Sequence, residues 1–144
     1  MHKIAITLMN ILKKNRCKEL HFVGVIYLDL NGLKEINDKM GHLAGDTLII
    51  SASYVLQEIF ADNSYRIGGD EFVVIEQDVL ESEFYSKYEM LLKRMKELEI
   101  SVATGYIWKE RCLNLSEILQ AADQKMYEDK KRYYSIAQKD QRRR

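Results

Sequence analysis

Two short β-favouring runs separated by Gly68-Gly69-Asp70-Glu71 constrain this chain more than any other feature. Tyr65-Arg66-Ile67 leads into the four residues and Phe72-Val73-Val74-Ile75 leads out, which is the pattern of a hairpin with its tip at the glycine pair. Glycine tolerates positive φ and lets a ligand or a second backbone come close. The turn is therefore expected to lie against a phosphate, with Asp70 and Glu71 offered as hard oxygen ligands or proton acceptors.

A hairpin needs a sheet, and the rest of the chain supplies one. Ile4, Leu8, Ile11 and Leu12 recur at helical spacing, so 3–15 reads as an amphipathic helix. Phe22 to Leu28 is a continuous apolar run, expected of a strand covered on both faces and ending at Asp29. A short helix from Leu33 to Met40 is stopped by Gly41, and Leu48, Ala52, Val55, Leu56 and Ile59 mark a helix over about 44–60. Phe84, Tyr88, Leu91, Leu92, Met95 and Leu98 carry the strongest helical period, and 100–108 alternates as a strand. A last helix starts near Leu115-Ser116, with Ser116 as its cap, and the arginines at 142–144 are expected to form a frayed tail. This order is that of an α+β, split βαβ (ferredoxin-like) sandwich. The first two strands run the same way, with the third antiparallel between them.

Composition narrows the partners. At 144 residues the chain is read as one domain over 1–144, with a helix at 3–15, a core over 20–131 and a basic tail at 139–144. Lys plus Arg equals Asp plus Glu at 22 each, so no overall positive field recruits nucleic acid or a lipid surface, and an anionic ligand must be held locally. Cys17 and Cys112 match no metal or redox spacing and are expected to be reduced thiols. With no apolar run near the ~18 residues of a membrane span and no signal peptide, the expected setting is cytoplasmic, either free or as the cytoplasmic part of a larger, membrane-linked protein.

The topology brings Asp29, at the end of the first strand, to the same edge as Asp70 and Glu71. Convergent carboxylates repel unless a cation lies between them, and magnesium favours one or two carboxylates completed by water and phosphate. Gly32-Leu33-Lys34 opens a helix whose free N–H groups and lysine form a phosphate cradle. Asn37, Asp38, His42 and Asp46 extend on the same side, where a buried Asp backed by an Asn amide can read a guanine edge. Each fragment alone is ordinary turn or capping chemistry; the three on one sheet edge point to metal plus polyphosphate.

Tyr65 to Phe72, preceded by Tyr27-Leu-Asp-Leu-Asn-Gly-Leu-Lys-Glu-Ile-Asn-Asp38 and Gly41-His-Leu-Ala-Gly-Asp46, and followed by Val102-Ala-Thr-Gly105, Ala121 to Tyr127 and Lys130, resembles the GGDEF family of diguanylate cyclases. The resemblance implies a nucleotidyl-cyclase palm with a sheet of about five strands flanked by helices. It also implies a transient homodimer that condenses two GTP into cyclic di-GMP and pyrophosphate. By position, Asp29, Asp70 and the Leu30 carbonyl would hold two Mg2+ or Mn2+ ions. Gly32 and Leu33 would offer N–H groups to the phosphates, Lys34 and Lys130 would add charge, Asn37 and Asp46 would read guanine, and His42 and Arg66 would join the substrate site. Asp70 or Glu71 would accept the proton. An upstream sensor or receiver domain outside this chain is implied as well.

The chain departs from the family pattern in three places. The Asp-x-Leu-Thr-Gly-Leu-x-Asn-Arg opening is absent. Ile59 replaces the Arg of the inhibitory Arg-x-x-Asp, so product inhibition is not expected. Lys131-Arg-Tyr-Tyr134 replaces Gly-Arg-Asn, with Arg132 as a candidate substitute for the lost arginine. A catalytically silent GTP-binding module, acting as a sensor or docking domain, is the alternative reading.

Overall fold

The computed structural model describes residues 5–15 and 19–143, with side chains described for 8–15 and 19–136. Helix α1 (Ala5–Lys14) precedes strand β1 (Leu20–Leu30), then come α2 (Leu33–Met40), α3 (His42–Phe60) and the hairpin β2 (Ser64–Arg66) and β3 (Glu71–Glu76). Helix α4 (Glu81–Glu97), strand β4 (Val102–Cys112) and the 29-residue helix α5 (Leu115–Arg143) complete the chain.

The strands form one antiparallel sheet in the order β2-β3-β1-β4. β3 separates β2 from β1, as expected. The sheet has four strands among the described residues, where about five were expected. The two residues between β4 and α5, Leu113 and Asn114, leave no chain for a further hairpin there.

Alternation along β1 divides the core. Ile26, Leu28 and Leu30, with Phe72 and Val74 of β3, face α3 and α4 and bury Phe60, Phe84 and Leu91 among them. Val23, Val25 and Tyr27, with Val73 and Ile75, face α5 and α1 and meet Leu119, Ala122 and Met126. Both faces of β1 are thus covered, and each such aliphatic side chain contributes about 1.5–3 kcal/mol by leaving water. The period of two also assigns Asp29 and its cross-strand neighbour Glu71 to the α5 face.

Several boundaries differ from the sequence reading. β1 extends two residues beyond the apolar run at each end. α3 starts at His42, because Gly41 (φ 89°) ends α2 and opens α3 together. α5 is capped by Asn114, not Ser116: the Asn114 carboxamide oxygen accepts from the Ser116 N–H at 3.0 Å. Asn114→Ala is expected to cost about 1 kcal/mol, read as a lowered midpoint in thermal unfolding. The expected frayed tail is helical through Arg143, since no glycine or proline interrupts the run. Cys112 is a buried free thiol; Cys17 and Arg144 lie outside the described residues.

Candidate active site

The sheet places Asp29 opposite Glu71, and the Leu30 N–H donates to the Asp70 carbonyl at 3.0 Å. The end of β1 and the glycine turn therefore meet, as the sequence reading required. Directly paired residues hold their Cβ atoms about 5 Å apart, so Asp29 and Glu71 lie side by side.

Asp29 is 4% exposed. Its Oδ2 accepts from Lys130 Nζ at 2.6 Å, while Oδ1 is buried without a hydrogen-bond partner. Burial, with the Asp70 charge added, outweighs Lys130 and raises the carboxyl to about 6. Burial and the charges of Asp123 and Asp70 also raise Glu71. Lys130 is raised too: burial pulls it down, but the hydrogen bond to Asp29 and the charges of Asp29 and Asp70 prevail. A buried acid with an unpartnered oxygen beside two further acids is suited to a cation.

Lys130 reaches Asp29 because α5 lies unusually close to the sheet. A Cβ at Gly105 would stand 1.9 Å from the Ala122 carbonyl oxygen and 2.6 Å from the Met126 nitrogen, so only glycine allows that approach. Gln120, Asp123, Gln124, Tyr127 and Lys130 then line one side of a cleft of about 570 Å³, with Asp29 and Glu71 on the other. The roles of Gln120, Asp123 and Tyr127 as cleft walls were missed in the sequence reading; their helical spacing on α5 was the available signal.

The turn itself is open. Ile67 and Gly68 N–H groups donate to the Glu71 carbonyl, and Arg66 donates to the carbonyls of Gly68 and Gly69 at 3.0 and 2.8 Å. Arg66 is thus spent on holding the turn. Neither glycine of the turn has positive φ, so of the two properties expected of them only room for close approach applies; a Cβ at Gly69 would meet nothing within 4 Å. The space, not the dihedral, is what glycine supplies there.

Gly32 is buried at φ 71° and leads directly into Leu33, the first residue of α2. Lys34 is exposed beside them. About 6 Å further along α2, Asn37 packs on α3: a Cβ at Gly45 would stand 1.8 Å from Asn37 Oδ1, which is itself buried and unpartnered. Asp46 follows Gly45 and is exposed, as are Asp38 and His42; the expectation of a buried Asp46 is corrected. Arg132 does not approach the acids. It lies about 200° round α5 from Lys130 and pairs with Asp129 at 3.8 Å. Ile59 packs against the core.

Among the described residues no three His, Cys, Asp or Glu side chains converge as a self-sufficient metal site. Asp29, Asp70 and a main-chain carbonyl would leave most of a cation's coordination to water and phosphate, which is magnesium's habit.

An antiparallel sheet with acids at one strand end and a helix N-terminus beside them is the arrangement expected of a GGDEF domain. The family model for the diguanylate cyclase GGDEF domain matches residues 4–134, and this chain belongs to that family. It is 35% identical over 143 residues to the signaling protein YkoW of Bacillus subtilis, covering 85% of this chain and 18% of that protein. It is 27% identical to the diguanylate cyclase DosC of Escherichia coli, over 76% of this chain and 26% of the other, and 31% identical to the cyclic di-GMP phosphodiesterase PdeR of the same organism, over 73% and 18%. The chain thus spans between 18% and 26% of the length of these three relatives. The GGDEF domain of DgcB from Caulobacter crescentus, solved with c-di-GMP, shares the fold with a TM-score of 0.73 at 19% identity, over 90% of this chain and 86% of that one. Among the described residues no helix is long and apolar enough to cross a membrane.

Proposed function

We propose that this domain binds GTP with two Mg2+ or Mn2+ ions and, facing a second copy across a transient homodimer, condenses two GTP into cyclic di-GMP and two pyrophosphates. The observation that carries the reading is Asp29, a buried carboxylate with one oxygen unpartnered, set beside Asp70, Glu71 and Lys130. When bound, the cations supply charge neutralisation for the triphosphate and acidify the attacking hydroxyl. Asp29, Asp70 and the Leu30 carbonyl hold them. The N–H groups of Gly32 and Leu33, with Lys34 and Lys130, orient the phosphates, and Asn37 and Asp46 read guanine. Each 3′-hydroxyl attacks the α-phosphorus of the other nucleotide, the bond to pyrophosphate breaks, and the hydroxyl proton passes to an acid. Glu71 is the better acceptor, because Asp70 is engaged as a ligand.

One domain presents one nucleotide, so a covalently tethered pair should be incubated with GTP and Mg2+ and its product weighed by mass spectrometry. Cyclic di-GMP is expected. GTP binding without product would favour the silent module. Asp70→Ala is expected to remove metal-dependent nucleotide binding while leaving the thermal midpoint nearly unchanged, because the turn contributes little to the core. Gly69→Ala should also leave the midpoint unchanged, within about 0.5 kcal/mol, yet weaken GTP binding in a titration by crowding the phosphate; unchanged GTP affinity would remove Gly69 from the site.

A further inference from the structure

The ion that neutralises Asp29 in this structure is part of the chain. Lys130 Nζ donates to Oδ2 at 2.6 Å, and its side chain is 22% exposed. A divalent cation on the same carboxylate would stand within a few ångströms of that ammonium, and like charges so close in a half-buried site repel strongly. Lys130 has somewhere to go. Its flexible four-carbon stem borders the cleft between α5 and the acids, and the Tyr134 ring lies 6.0 Å from Nζ, one turn along α5.

We propose that Lys130 is the resident counter-ion of Asp29, that a divalent cation displaces it, and that the released ammonium becomes a partner of the nucleotide phosphates. Cation and nucleotide then strengthen each other's binding through one side chain. In the absence of both, Lys130 holds the acid site shut. Linkage requires the coupling to be reciprocal, so the nucleotide tightens the cation by the factor with which the cation tightens the nucleotide. The exchange rests on the reading of Asp29 as a cation ligand and is independent of whether the domain condenses nucleotides.

The test uses Mn2+ alone at pH 8, followed by electron paramagnetic resonance of the free ion. Lys130→Met is expected to bind Mn2+ about tenfold more tightly than the parent, the scale of one charge-assisted contact. Lys93→Met, which deletes the same charge from an exposed side chain on α4, should change affinity less than about twofold. Equal effects of the two variants, or no tightening by Lys130→Met, overturn the proposal. A second measurement needs no variant: reductive methylation of Lys130, read by mass spectrometry, should accelerate several-fold with Mg2+ alone and slow again when a non-reacting GTP analogue is added. Labelling indifferent to Mg2+ overturns the exchange. Mg2+-dependent labelling in a domain that makes no cyclic di-GMP supports it and rejects only the condensation.

Discussion

Gly105→Val is expected to lower the thermal midpoint by about 10 °C or more and to disconnect the active site. The added side chain must displace the Ala122 carbonyl oxygen, 1.9 Å from the position of its first carbon, and the Met126 nitrogen at 2.6 Å. These are backbone atoms of α5, so no rotamer change relieves the clash. Overpacking of this kind costs roughly 3 kcal/mol, against a total stability of about 5–15 kcal/mol for a domain, and at this chain length each kcal/mol moves the midpoint by about 3 °C. The functional consequence follows from the same shift. If α5 rides outward to admit the valine, Lys130 leaves Asp29, two turns beyond Ala122. Differential scanning calorimetry with a GTP titration checks both effects; a variant with the parental midpoint would mean that α5 is not clamped to the sheet at this position.

Asp29→Asn is expected to reduce cyclic di-GMP formation roughly 10³-fold or more, the scale of losing a charge that organises a phosphoryl-transfer site. The amide still accepts from Lys130, so the domain should remain folded. Asp29 also gives the parent a pH signature. Its carboxyl is raised from 3.8 to about 6 by burial, with Asp70 adding to the effect, so in the cation-free fold ionisation of this group opposes folding. Its favourable contribution is full below about pH 4 and is lost as the pH rises through 6. A divalent cation reverses that loss only where Asp29 is ionised. Mg2+ at ten times its Kd should stabilise the parent by about 1.4 kcal/mol at pH 7.5, or about 4 °C, and hardly at pH 5. Asp29→Asn should show no Mg2+ shift at either pH. A parent stabilised equally at both pH values would place the cation elsewhere.

Much of the fold was legible because local pattern and tertiary demand agree. The apolar run of β1 reads as doubly covered and is; Gly41 reads as the stop of α2 and also proves to open α3. The features that differ from the sequence pattern share a cause. Ser116 and Asn114 are both good caps, and only the path of the chain out of β4 decides between them. The identity of the turn glycines carries no φ information, and space separates from dihedral only in the tertiary structure, where Gly69 faces open space. Asp46 is exposed because Gly45, not the acid, faces Asn37.

Sequence alone determined the element order, the family resemblance and the convergence of Asp29 with Asp70 and Glu71, because strand period and hairpin geometry follow from neighbours along the chain. Tertiary structure decided that Lys130, a hundred residues away, neutralises Asp29, that Oδ1 is left without a donor, and that α5 can approach at all. Those facts depend on how closely one helix backbone lies on one strand, a distance set by the packing of both faces of the sheet at once.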